Sequence, residues 1–267
     1  MTESKNGALL RTRTSQTVLP AEKYDGYSLE EKISTCAVPV KGNACKLYSS
    51  EEDGGKYVID SLDTLISKIH EILGEDTGLG DDPEKVEKVK QAMTAYDSGV
   101  YDWVKHSHYS GGRYTRNLID KGNSKFNFLL LVWSPETSSP IHDHANSQCV
   151  FKMLEGTLCE ERFIHSTPIS NHDPKPLEMI SNTTVTTNDV GHINDSMGYH
   201  RMVNPSSEFA MSLHLYSPPF DFCKVINEAS GEKTVSQCNV FFDNKHTLTQ
   251  ESNVGQETNA DHTDITR

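Results

Sequence analysis

The stretch SSPIHDHANSQC, residues 138–149, sets His142 and His144 two apart, with Asp143 between them and Cys149 a few residues on. In an extended strand, residues i and i+2 point to one face. Both imidazoles would then face inward while Asp143 points the other way. A pair spaced this way is also common as ordinary polar surface, so its neighbours have to decide.

Downstream of about residue 110 the chain breaks into short β-type runs: RYTRNLI, FNFLLLVW, CVFKMLEG, TLCEERFI, TTVTT, GHIND and FAMSLHLYS. Gly, Pro, Asn and Ser separate them. Upstream, VIDSLDTLISKIHEILG places Ile59, Leu62, Ile66, Ile69 and Leu73 on one helical stripe, with Gly74 as the stop. A second helix follows in DPEKVEKVKQAMTAYD, with Asp82 as cap, Pro83 in the first turn, and Val86, Val89 and Met93 facing inward. Two helices followed by many short strands predict a mainly β fold, a small antiparallel barrel or sandwich with helices packed outside. Residues 1–25 read as a flexible arm, 26–228 as one domain, and 229–267 as a polar tail, disordered apart from one last contact at VFF, residues 240–242.

The 38 acidic residues outnumber the 25 basic ones, a formal net charge of -13, which argues against nucleic acid or an anionic membrane as partner. No apolar run approaches the roughly 20 residues that span a bilayer. The expectation is a cytoplasmic protein. Its six cysteines (36, 45, 149, 159, 223 and 238) contain no CxxC pair and would be reduced thiols. No coiled-coil pattern or long apolar stripe is present, so a monomer is expected.

Two later segments supply more histidine. MGYHRMVN carries His200 and MSLHLYSPPF carries His214. Alternation in the second puts Met211, Leu213 and Leu215 on one face, and Ser212, His214 and Tyr216 on the other. Such a polar triad inside a barrel is costly unless hydrogen bonds or a ligand satisfy it. The interior therefore reads as a site, with a satisfied polar core as the plainer alternative.

His142-Asp-His144, four residues, Cys149, six residues and Gly156 have the form of a first cupin motif, with cysteine where glutamate is usual. His200-Arg-Met-Val-Asn204 resembles the second motif. The segments YTRNLIDKGNSKFNFLLLVW, SSPIHDHANSQC, HINDSMGYHR and SLHLYSPPFDFC, in that order, resemble the cysteine dioxygenase family. The resemblance implies a cupin jelly-roll barrel, and one Fe(II) per chain held by His142, His144 and His200. It implies L-cysteine and O2 as substrates and L-cysteine sulfinate as product. Three neutral imidazoles, without the usual carboxylate, suit a substrate that brings its own anionic thiolate. Arg116 would take the substrate carboxylate in a bidentate fork, beside Tyr114. Cys149 and Tyr216 match a pair that forms a thioether, and His214 with Ser212 would orient the Tyr216 hydroxyl. Ser217-Pro218-Pro219 would hold a cis peptide, Trp133 would pack near the site, Cys223 would be a structural cysteine at the pocket mouth, and Asp143 would support the histidines.

The chain departs from the family at Gln148, where histidine is frequent, and at Pro140, where serine is common. The segment between His200 and Ser212 is also one residue short. Two other readings stay open: a dioxygenase of a related thiol such as 3-mercaptopropionate or cysteamine, and a non-catalytic metal-binding cupin. Arg116 disfavours cysteamine, which has no carboxylate.

Overall fold

The computed structural model describes residues 59–109, 111–166 and 175–240, and the backbone of 242–243 and 246–247. The expected N-terminal arm lies outside these residues. Helix α1 (Leu62–Leu73) starts at Ser61, whose hydroxyl accepts from Thr64 N–H at 3.1 Å, and ends at Gly74. It buries Leu62, Leu65, Ile69 and Leu73. Ile59 precedes the cap and pairs with Tyr96 in a bridge, so it is not on the helical stripe; Leu65 takes the buried place and Ile66 only flanks it. Helix α2 (Pro83–Ala95) has the expected cap, Asp82 accepting from Glu84 and Lys85 N–H, and the expected inward residues.

Thirteen strands follow among the described residues: β1 (Tyr114–Asp120), β2 (Asn127–Trp133), β3 (Thr137–Ser138), β4 (Gln148–Glu155), β5 (Thr157–His165), β6 (Leu177–Thr186), β7 (Val190–Ile193), β8 (Tyr199–Asn204), β9 (Ala210–Ser217), β10 (Phe222–Ile226), β11 (Lys233–Gln237), β12 (Phe242–Asp243) and β13 (His246–Thr247). One sheet runs β13-β12-β1-β2-β9-β4-β7, a second β3-β8-β5-β6, and β10-β11 form a two-stranded ribbon. All pairings are antiparallel except β1 with β12. Gly156 makes the tight passage from β4 to β5 at φ +82°, where a Cβ would lie 3.0 Å from that of Ala210.

The large sheet is buried on both faces. Phe128, Leu130, Val132, Leu213 and Leu215 pack outward against the helices. Leu129, Leu131, Trp133, Cys149, Phe151 and Tyr216 face inward, toward Leu158, Val185 and Met202 of the second sheet. Two facing antiparallel sheets with helices outside make this a cupin-type jelly roll, as expected. No helix among the described residues is long and apolar enough to cross a membrane.

Two expectations need correction. His142 and His144 are not on a regular strand: His142 makes isolated bridges to His200 and Val225, and His144 opens a turn. The disordered tail does not begin at 229, because β11 pairs with β10 through residues 233–237; the last contact expected at VFF is Phe242, which pairs with β1. The polar β11 carries no apolar alternation because most of it faces water. Residues 248–267 lie outside the described residues.

Candidate metal centre and substrate cavity

The backbone brings His142 and His200 together directly. His142 N–H donates to His200 O at 3.0 Å, and His200 N–H donates to His142 O at 3.2 Å. Asp143 fastens the same segment to β10: its N–H donates to Lys224 O at 3.0 Å, and its carboxylate accepts from Lys224 N–H at 2.8 Å. The turn after His144 puts Ala145 and Asn146 at φ 50° and 62°. An alanine there costs roughly 1 kcal/mol. Asp195 holds the turn, accepting from His144 N–H at 2.6 Å and Asn146 N–H at 2.7 Å.

The ligand atoms of His142, His144 and His200 lie within 4.8 Å of one another, and this is the one such cluster among the described residues. Two of the rings have their other nitrogen committed. His142 Nδ1–H donates to Pro140 O at 2.9 Å, and His200 Nδ1–H to Glu160 Oε1 at 3.0 Å, since a carbonyl and a carboxylate only accept. Each is left with an Nε2 lone pair. Both ring nitrogens of His144 are buried without a partner. An unsatisfied buried polar atom costs about 1–3 kcal/mol, and a metal ion at this point relieves it. Burial, and then the neighbouring imidazoles, lower the pKa of His144 and His200. Burial also lowers that of His142. All three are thus neutral, the ligating form. Burial raises the pKa of Glu160, opposed by its hydrogen bond from Arg162 at 3.0 Å.

A cavity of about 440 Å³ opens beside His142 and His200 and is also lined by Tyr114, Arg116, Trp133 and Tyr216. The Arg116 guanidinium, on β1, lies 5.1 Å over the Tyr216 ring and 5.7 Å over that of Phe220. Its Nε has no partner. The Tyr114 ring sits 4.7 Å from Trp133, and burial raises its pKa.

Behind the cavity a hydrogen-bonded chain runs along β9. Trp133 Nε1–H donates to Ser212 Oγ at 2.8 Å, so Trp133 does more than pack. Ser212 Oγ lies 2.8 Å from His214 Nε2, and His214 Nδ1 lies 3.3 Å from Tyr216 Oη and 3.8 Å from Cys149 Sγ. Burial first, then Arg116, lowers the His214 pKa to about 3, so the ring is neutral and carries one proton. Every buried hydrogen finds an acceptor when Ser212 donates to Nε2 and Nδ1–H donates to Tyr216. The phenol's own hydrogen is then free to point into the cavity. Burial, then the nearby Cys149, keeps that phenol protonated. Cys149 and Tyr216 are direct cross-strand partners, and burial pushes the Cys149 thiol up.

The remaining expectations resolve in place. The Ser217–Pro218 peptide is cis. Pro140 serves His142 through its carbonyl, which any residue there supplies. Gln148 Oε1 accepts from His192 Nε2–H at 2.8 Å and Asn194 Nδ2–H at 2.9 Å, anchoring β7. Cys223 lines the cavity, as its resemblance to a pocket-mouth cysteine implies, 3.3 Å from the sulfur of Cys238. The sequence reading missed Glu160, Asp195, Phe220 and Cys238. Only Glu160 carried a local signal, an acid at an inward position between Leu158 and Arg162.

Fold and site together define a cupin-type barrel with a three-histidine cluster suited to a metal ion, beside a cavity lined by two of those histidines and a buried arginine. The family model described as Cysteine dioxygenase type I matches residues 58–229. Cysteine dioxygenase type 1 of Homo sapiens is 39% identical over 196 residues, covering 73% of this chain and 88% of the relative. The Rattus norvegicus protein of that name is 40% identical over 198 residues, with 73% and 88% covered. That of Danio rerio is 36% identical over 201 residues, with 75% and 96% covered. The chain belongs to the cysteine dioxygenase type I family.

Proposed function

We propose that the protein is a non-haem Fe(II) cysteine dioxygenase, adding both atoms of O2 to the thiol of L-cysteine to give L-cysteine sulfinate. The observation that carries the reading is a cluster of three neutral imidazoles, one of them with both nitrogens unpartnered, two of whose members, His142 and His200, line one small cavity together with a buried guanidinium. His142, His144 and His200 would hold one ferrous ion per chain, whose dipositive charge would favour the thiolate form of the substrate and supply the O2 chemistry. The Arg116 fork pairs with the substrate carboxylate, which orients the sulfur toward the histidines. Tyr114, tilted against Trp133, limits the room beside that fork. The Tyr216 hydroxyl, fixed by the Trp133–Ser212–His214 chain, donates a hydrogen bond into the site. A thioether between Cys149 and Tyr216, whose strand positions already face each other, would lock that ring in place. Consumption of a free thiol fits the reducing cytoplasm and a role in cysteine catabolism, with the chain acting as a monomer.

The test is oxygen consumption by iron-loaded protein given L-cysteine, 3-mercaptopropionate or cysteamine, with products weighed by mass spectrometry. L-Cysteine is expected to gain two oxygens. Arg116→Lys should lower kcat/KM about 10- to 100-fold, as losing one charge-assisted contact of about 1.5–3 kcal/mol requires. Preference for 3-mercaptopropionate would change the substrate and keep the chemistry. No uptake with any thiol at full iron loading would overturn the reading in favour of a non-catalytic metal-binding cupin.

A further inference from the structure

Cys223 lies in β10, and Cys238 follows β11 by one residue. The ribbon pairs Cys223 with Ser236, and Cys238 N–H donates to Asp221 O at 2.7 Å. The two cysteines therefore sit diagonally on one face of the ribbon, and that face lines the cavity. Their sulfurs are 3.3 Å apart. A disulfide bond is about 2.05 Å, so side-chain rotation over a little more than about 1 Å joins them.

The two thiols are also unequal. The hydrogen-bond contact between the two sulfurs, and then the nearby Arg116 guanidinium, lower the pKa of the Cys238 thiol. The same contact with Cys238, and then burial, push the Cys223 thiol up. One nucleophilic and one resolving sulfur is the division of labour that disulfide exchange needs. Neither takes part in the proposed oxygenation.

We infer that Cys223 and Cys238 form a reversible thiol–disulfide site on the wall of the substrate cavity, closed by a small carboxylate-bearing disulfide such as the disulfide of cysteine. The Cys238 thiolate attacks one sulfur of the small disulfide; that S–S bond breaks, and one thiolate leaves and takes up a proton. Cys223 then gives up its proton and attacks the Cys238 sulfur, expelling the second small thiol. One small disulfide is reduced to two thiols while the pair is oxidised, so atoms and electrons balance. Arg116, beside the nucleophile, supplies the cation that draws a carboxylate-bearing disulfide to it. Where the proposed function holds, on which this consequence rests, the released thiols are substrate. The closed pair then no longer sets a thiolate against the arginine that binds it.

The experiment equilibrates full-length protein anaerobically in cystine–cysteine mixtures of stepped ratio, alkylates it, and maps the peptides without reductant. The expected result is loss of both alkylated thiols together and a linked peptide joining Cys223 to Cys238, lighter by two hydrogens than the two thiol peptides. The link should vanish on return to excess cysteine, be absent in Cys238→Ser, and persist in Cys159→Ser. Mixed disulfides that never resolve, or a link from either residue to Cys36 or Cys45 instead, would overturn the inference. Iron-free protein should give the same link, so the outcome is independent of whether the chain oxygenates cysteine.

Discussion

The two faces of the large sheet are built from the same strands and are equally dry, yet they do opposite work. On β9, Leu213 and Leu215 turn outward to the helices, while Ser212, His214 and Tyr216 turn inward. Leu213 is 0% exposed and His214 only 2%, so burial alone does not tell core from site. The outer face is stabilised by removing apolar surface from water. The inner face keeps its polar atoms buried by pairing them in a chain, and where His144 lacks a partner it marks the place for a metal.

Removing a metal ligand should give the largest effect and should touch only the inner face. His144→Ala is expected to lower metal affinity by more than about 100-fold, beyond the range for loss of an outer partner, and to abolish thiol-dependent oxygen uptake. Metal content after dialysis reads this directly; full retention would sink the three-histidine site. Leu213→Ala is the counterpart on the outer face. It should cost about 2–5 kcal/mol in urea unfolding while metal content per folded molecule stays unchanged. An unaltered unfolding midpoint would mean that the helix-facing layer is not the main core.

The smallest effect is a pH slope in the metal-free protein. His214 has its folded pKa lowered to about 3, against about 6.5 when unfolded. Above that unfolded value the ring is neutral in both states and contributes nothing. As pH falls from about 6.5 toward 3, the unfolded chain takes up a proton that the folded chain refuses, so stability falls. This one group contributes up to about 1.4 kcal/mol per pH unit. His214→Gln should flatten the slope between pH 6.5 and 5, whereas Leu213→Ala should shift the whole curve without changing its slope. Equal slopes in all three proteins would remove the distinction between the faces.

Much of this is local and was legible. Ser61 and Gly74, Asp82 and Pro83 bound the helices through short-range hydrogen bonds. The alternation in β9 separates its two faces because successive side chains in a strand must diverge. The histidines, Arg116, Tyr114, Cys149 and Tyr216 were recognisable through the order and spacing of their motifs. The tail boundary was misplaced because a half-exposed ribbon such as β10–β11 buries too little to impose a pattern.

The sequence by itself determined the short-range parts: helix ends, strand alternation, and which residue types were available for a metal and a carboxylate. Only the tertiary structure decided which distant atoms meet. It set Glu160 on His200 across 40 residues, Asp195 under the His144 turn across 51, and Cys238 against Cys223 across 15. It also joined His142 to His200 through an isolated bridge where a strand was expected. Such pairings depend on sheet register, and register is set by the packing of whole layers.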